Sequence, residues 1–205
     1  MNLRNIKSFS WIRLYNIFLR NTNFCSKIKP MNITAGIYKG QKITAPDENI
    51  TRPTLSKVRM SVFNTLQAMM DFENSSFLDM YSGSGIMGLE ALSRGFFRVV
   101  SIEKNKKVYS VIKSNFKKFE KDNDLKLILG DSLKVCSRLN EKFDVVYIDP
   151  PYFSGIYEKS LEAVKDICDG IIILEHVIDV EIDGFEIVKQ KKYGDKFVTF
   201  LQVIK

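Results

Sequence analysis

The sequence predicts an α/β fold built on a mostly parallel, Rossmann-like sheet with an antiparallel hairpin at its C-terminal end. Three observations carry that reading. From Ser76 onward, short apolar runs alternate with helix-length amphipathic segments, the pattern of parallel strands between covering helices. The first of those runs leads into a glycine-rich turn, Gly83-Ser84-Gly85. The last two flank Tyr193-Gly194-Asp195, a turn signal between two apolar strands.

Taken in order, residues 31 to 45 alternate weakly around Gly36 and Gly40, which reads as a short hairpin or arm. Thr51-Arg52-Pro53-Thr54 then opens a helix, with a threonine cap and an apolar stripe at Val58, Val62, Phe63 and Leu66. Strands are expected at Phe77–Met80, Arg98–Ile102, Leu125–Leu129, Phe143–Ile148 and Gly170–Leu174. Helices are expected at Ile86–Arg94, Lys104–Lys121, near Leu133–Leu139, and at Ile156–Cys168. The hairpin takes Phe185–Gln190 and Phe197–Ile204. The chain thus divides into a leader at 1–30, an arm and helix at 31–75, and the sheet domain at 76–205.

With 45% hydrophobic and 27% charged residues in a chain of 205, the composition is that of a folded domain with a sizeable core. The net charge of +7 is unevenly spread. Residues 1–30 hold six of the 31 basic residues and none of the 24 acidic ones, leaving 25 bases against 24 acids in the remainder. Bulk charge therefore does not make the sheet domain a nucleic-acid binder. A local excess persists between Met31 and Met60, where Lys39, Lys42, Arg52, Lys57 and Arg59 outnumber Asp47 and Glu48. Lys39, Lys42, Arg52 and Arg59 are the candidate phosphate contacts. Cys25, Cys136 and Cys168 are widely spaced without a CxxC, and His176 is the single histidine. Neither a disulfide framework nor a metal site is expected, and a reducing compartment is. No apolar run approaches the ~18 residues of a membrane span. The acid-free leader has the composition of an organellar transit peptide, or else lies upstream of a true start at Met31.

Two loops carry chemistry. The first run ends in Asp79 and turns through Gly83, Ser84 and Gly85 into a helix. The glycines let the backbone approach a ligand closely, at the strand end where open α/β sheets bind ligands. Glu103 ends the next strand, where a carboxylate can accept hydrogen bonds from both hydroxyls of a ribose. Gly83, Gly85 and Gly88 also fit GxGxxG, which alone would suggest a nicotinamide or flavin. Asp79 favours S-adenosylmethionine instead, because its charge suits an ammonium and repels a pyrophosphate. The second loop, Asp149-Pro150-Pro151-Tyr152, follows the strand Phe143–Ile148. Its prolines remove two N–H donors, so it offers acceptors: the Asp149 carboxylate and the Pro150 carbonyl. Acceptors that grip the hydrogens of an exocyclic amine favour its nucleophilic geometry, and Tyr152 offers a flat face to an unstacked base. The alternative is a rigid Pro-Pro turn with Asp149 as a solvated cap.

These residues resemble a known family. Met31 to Lys205 is similar to the bacterial 16S rRNA guanine-N2 methyltransferases of the RsmD type. The similarity lies in Ala35-Gly36 to Gly40, Thr51-Arg52-Pro53-Thr54, Val58-Arg59 and Phe63-Asn64, and in Phe77-Leu78-Asp79 through Gly85. It continues in Gly88-Leu89-Glu90-Ala91-Leu92-Ser93-Arg94-Gly95, the Asp149 to Tyr152 tetrad, Glu175-His176 and Tyr193-Gly194-Asp195. The chain departs from the family's pattern at Gln41, Ser56 and Met60. The resemblance implies a seven-stranded class I methyltransferase sheet and S-adenosylmethionine as donor. It implies cofactor contacts from Asp79, Gly83, Ser84, Gly85, Glu103, Asp131 and Ser132, and catalysis at Asp149, Pro150 and Tyr152. It also implies a guanine of small-subunit rRNA, naked or in an assembly particle, as target. A monomer in the bacterial cytoplasm is expected, or in an organelle stroma or matrix if the leader is a transit peptide.

Other readings are an adenine-N6 or other nucleic-acid methyltransferase with the same loop, a nicotinamide oxidoreductase, and a non-catalytic RNA-binding module. His176 reads as half of a structural Glu175-His176 pair, Cys136 as core, and the lysines of 104–118 as a solvated helix face. If the leader is dispensable, a chain beginning at Met31 melts at the same temperature as the full chain and keeps full activity. A large loss in either measurement would show that residues 1–30 pack on the domain or grip substrate.

Overall fold

The computed structural model describes residues 31–46, 56–151 and 155–204; the leader and the Thr51-Arg52-Pro53-Thr54 helix start lie outside these. A two-stranded arm comes first, β1 (Met31–Asn32) antiparallel to β2 (Lys42–Ile43). Helix α1 (Ser56–Gln67) follows. Strand–helix alternation then runs β3 (Ser76–Asp79), α2 (Ile86–Ser93), β4 (Arg98–Glu103), α3 (Lys106–Phe116), β5 (Asp124–Leu129), α4 (Ser132–Cys136), β6 (Phe143–Ile148), α5 (Ile156–Lys165) and β7 (Cys168–His176). The chain closes with the hairpin β8 (Phe185–Tyr193) and β9 (Lys196–Val203).

Seven strands form one sheet in the order β5-β4-β3-β6-β7-β9-β8. The first five in that order pair in parallel, whereas β9 runs antiparallel to both β7 and β8. The expected mixed sheet is therefore present. Reversal of strand order between β4-β3 and β6 opens the crevice in which such sheets bind ligands.

Apolar alternation along the strands divides the core in two. Phe77, Val99, Val145 and Ile173 face α1, α2 and α3, together with Ile33 and Ile43 of the arm. Leu78, Val100, Val146 and Ile172 face α4 and α5, where Cys136, Leu161 and Val164 sit. Helix α2 is buried along its whole length, because the sheet covers one side and the arm and α1 the other.

Several helix ends differ from the sequence expectation, including both ends of α3 and the C-terminal end of α5. Asn105 accepts from the amides of Lys107 and Val108, so α3 starts at Lys106 and not at Lys104. Its far end stops at Phe116, because a tight turn tucks Phe119 inside against the ring of Tyr38, with ring centroids 4.8 Å apart. Helix α5 stops at Lys165, since Cys168 is already pairing with Phe143 as the start of β7.

The arm is fastened by a buried carboxylate. Glu90, in the middle of α2 and fully buried, accepts the Thr34 amide at 2.9 Å and the Thr34 hydroxyl. It also pairs with Arg94 at 3.4 Å and with Arg59 of α1 at 3.7 Å. Arg59 is 1% exposed and donates to the Asn32 carbonyl at 2.9 Å. The expectation that Arg59 holds an RNA phosphate is thus corrected: its guanidinium is spent inside, joining α1, α2 and the arm. The tip of the arm closes on α2 at Gly36, where a Cβ would lie 1.8 Å from the Ser93 carbonyl oxygen. Breaking such a buried ion network by removing one partner costs about 3–5 kcal/mol. Glu90→Ala is expected to lose that much stability, read as a lower urea midpoint. A loss under about 1 kcal/mol, the scale of an exposed pair, would show that the cluster does not hold the arm.

Candidate active site

The crevice holds a cavity of about 280 Å³ at the carboxyl ends of β3, β4 and β6. Each strand delivers an acid to it: Asp79 ends β3, Glu103 ends β4, and Asp149 follows β6. Beside Asp149, β7 carries Glu175, which is fully buried.

Asp79 is 1% exposed, and neither carboxylate oxygen has a hydrogen-bond partner of normal geometry among the described residues. Burial, and next the charge of Asp149, raise its pKa from 3.8 to about 8, although the nearby amides of Gly88 and Tyr81 favour the charged form. Among the described residues no cationic side chain pairs with this buried carboxyl group. Glu103 accepts from the amide of Gly83 at 3.2 Å and from that of Asn105 at 2.7 Å. Burial raises its pKa, and these amides hold it down. The turn between β3 and α2 is held by the Gly85 amide donating to the Ser82 carbonyl at 2.7 Å. Gly85 has a φ of +76°, and a Cβ there would meet Ile112 of α3 at 2.7 Å. Its glycine is required by helix packing behind the loop as well as by the turn.

Asp149 has an 18% exposed side chain and lies 3.5 Å from Nζ of Lys196. The same ammonium is 2.9 Å from Glu175, whose other oxygen accepts from the Tyr147 hydroxyl. Burial first, then the charge of Glu175, push the Asp149 carboxyl from 3.8 up to about 7, while Lys196 pulls it down. Asp149 is therefore a partly buried, paired group and not the solvated cap of the alternative reading.

Of the residues singled out in the sequence, Asp79, Gly83, Ser84, Glu103, Ser132, Asp149 and Pro150 line this one cavity. Ser132 fixes its wall by donating to the Met80 carbonyl at 2.6 Å. Gly85 lies one step behind, at the start of α2. Asp131 is exposed and caps α4 through the Lys134 amide, outside the cavity lining. Tyr152 and Arg52 lie outside the described residues. Lys39 and Lys42 are exposed on the arm. Lys39 sits in the turn next to Tyr38, whose amide donates to Ser93 at the C-terminal end of α2. The cavity is at the other end of that eight-residue helix, roughly 12 Å away. The ring nitrogens of His176 meet the Ile178 carbonyl and the Thr199 hydroxyl, and Glu175 turns instead to Tyr147 and Lys196, so the two do not form the expected pair with each other. Sequence reasoning missed Lys196, Tyr147 and the ionic role of Glu175. One available signal was the Tyr193-Gly194-Asp195 turn, which returns the chain to the sheet edge just before Lys196.

An open α/β sheet with a glycine turn after its first parallel strand and an Asp-Pro-Pro loop after the fourth, both facing one crevice, defines a class I, Rossmann-like methyltransferase. The chain superimposes on a solved candidate methyltransferase of Escherichia coli with a TM-score of 0.75 at 22% identity, over 85% of this chain and 98% of that one. A candidate methylase of Haemophilus influenzae gives a TM-score of 0.70 at 26% identity, over 86% and 99%. Residues 31–202 match the family described as Conserved hypothetical protein 95. Ribosomal RNA small subunit methyltransferase D of Buchnera aphidicola is 31% identical over 147 residues, 71% of this chain and 75% of that protein. Its namesake in Escherichia coli is 28% identical over 151 residues, 74% of each. The chain belongs to this family, the RsmD-type small-subunit rRNA methyltransferases.

A raised carboxylate pKa means that the folded state binds more protons than the unfolded one. Stability is then lost as pH rises from the unfolded toward the folded value, here between about 4 and about 8 for Asp79. Asp79→Asn is expected to raise the melting temperature of the ligand-free protein at pH 8 and to flatten its decline across that window. An unchanged pH dependence would refute the unpaired, buried state of Asp79.

Proposed function

We propose that this protein transfers a methyl group from S-adenosylmethionine to the exocyclic N2 amine of a guanine in small-subunit rRNA. The observation that carries the reading is the convergence of the unpaired, buried Asp79 carboxylate and the Asp149-Pro150 acceptors on one cavity. The relatives named for small-subunit rRNA support the substrate.

The residues fit the cofactor. A buried carboxylate without a partner is complementary to an ammonium, which would restore its ordinary ionisation. Glu103, held by two backbone amides, keeps lone pairs for ribose hydroxyls. Asp79 opposes a dinucleotide pyrophosphate, which disfavours the nicotinamide reading. When bound, S-adenosylmethionine supplies an electrophilic methyl group on sulfur.

The chain's own groups do the rest. The Asp149 carboxylate and the Pro150 carbonyl accept the hydrogens of the amine and orient its lone pair toward the cofactor side of the cavity. Orientation and electrostatics contribute most of the rate. An acceptor with a pKa of about 7 is matched to taking a proton near neutral pH. In this reading Tyr152 stacks on the unpaired base, and Lys39, Lys42 and Arg52 hold phosphates farther along the RNA. The protein acts as a monomer on rRNA or on an assembling particle, in the bacterial cytoplasm.

The test combines binding, mutation and product mapping. Calorimetry should detect S-adenosylhomocysteine and no NAD. Asp149→Ala should leave RNA binding intact and lower methyl transfer by about 100-fold or more, the scale of losing one preorganised electrostatic contact. Mass spectrometry of rRNA from a deletion strain should lack one N2-methylguanine. A missing methyladenine would move the chain to the adenine-N6 reading, and full activity of Asp149→Ala would overturn the loop's role.

A further inference from the structure

The site contains a charge network that the proposed reaction, as described, does not use. Lys196 begins β9 and reaches the edge of the sheet from the antiparallel direction. Its ammonium lies between Asp149, at 3.5 Å, and Glu175, at 2.9 Å. Glu175 is fully buried and is held in turn by the Tyr147 hydroxyl, so the anchor of the ammonium cannot drift with solvent. Two carboxylates share one cation, leaving a net charge of −1 in a region where charge is costly.

On the methyl-transfer reading above, we propose that Lys196 is a positioning residue: anchored on Glu175, it aims Asp149 at the cavity and holds it ready to accept the proton that the amine gives up. The step it serves is proton transfer alone. An N–H bond of the methylated amine breaks, its electron pair stays on nitrogen, and an O–H bond forms on Asp149. Proton uptake takes the network from −1 to neutral and leaves Lys196 and Glu175 as a matched pair. No buried cation is stranded when Asp149 discharges.

Several other groups face Asp149. Glu175 on β7 opposes its ionisation and Lys196 on β9 favours it, while Asp149 in turn opposes the ionisation of Asp79 on β3. Glu103 acts on Asp79 from β4, and Tyr147 on β6 reaches the network through Glu175. His176 is held by Ile178 and Thr199.

The test reads Asp149 directly, by carbon-13 carboxyl NMR titration of the full-length, ligand-free protein, alongside the pH profile of methyl transfer. Glu175→Gln removes the neighbouring negative charge and should move the Asp149 midpoint down by about 1 pH unit. Removing the cation in that background, Glu175→Gln with Lys196→Met, should bring the midpoint back up by about as much or more. Lys196→Arg should leave it near wild type. The acid limb of the activity profile should follow the same order. Opposed shifts are a charge effect that loss of packing does not produce. No shift, or shifts in the same direction, would overturn the proposal. Should the double variant fail to fold, Glu175→Gln and Lys196→Arg decide: a downward shift in the first with none in the second supports it, and no shift in the first overturns it. If the wild-type protein methylates no RNA, the functional reading fails, while the titration still decides whether Lys196 governs Asp149.

Discussion

Carboxylates crowd one edge of the sheet because parallel strands all end there. Asp79, Glu103, Asp149 and Glu175 come from four such strands or the loops just after them. Inside a protein, like charges this close cannot all remain ionised without help. The antiparallel strand β9 supplies that help. Running the opposite way, it presents its first residue, Lys196, at the edge where its neighbours present their last. The terminal hairpin therefore does electrostatic work as well as widening the sheet. What β9 leaves without a cationic partner among the described residues is Asp79, whose carboxyl is held well above its ordinary pKa by burial.

The opposite surface of α2 solves a different problem with the same means. A basic segment before a neutral domain reads as a nucleic-acid grip, yet Arg59 is buried against Glu90. Local charge excess counts side chains without knowing which of them the fold consumes. Thr34, Arg59 and Arg94 converge on Glu90, so the arm and α1 are tied to α2 behind the glycine turn. The start of α2 at the cavity and the seat of the arm at its far end are two ends of one buried rod.

What could be read from the sequence was local. The strand Phe143–Ile148 and the loop after it are contiguous, and an apolar run followed by Asp-Pro-Pro announces itself. The Gly83-Ser84-Gly85 turn and Glu103 are likewise set by position along single strands. Helix ends were less legible, because the stop at Phe116 depends on Phe119 finding the ring of Tyr38, 81 residues earlier by their numbers. The Lys196 network was illegible for the same reason. Its members are 21 to 47 residues apart and meet only through the pairing of β9 with β7. Glu175 could be recognised as an odd acid in an apolar strand, but nothing in its neighbourhood named the cation that would balance it.

The hairpin leaves β8 as the last strand, paired on one side only. It is nine residues long, with Ile187 and Val188 about half exposed at 48% and 42%. A long unpaired border is a template on which a second molecule can lay a strand. Here a register break between Ile187 and Lys189 interrupts it, and the exposed Lys189 and Lys192 repel an identical border. That repulsion is ionic and reaches only as far as the Debye length, about 10 Å at 0.1 M salt and about 3 Å at 1 M. At high ionic strength this border therefore loses its charge repulsion, and the register break is the feature left to discourage a second strand from pairing there.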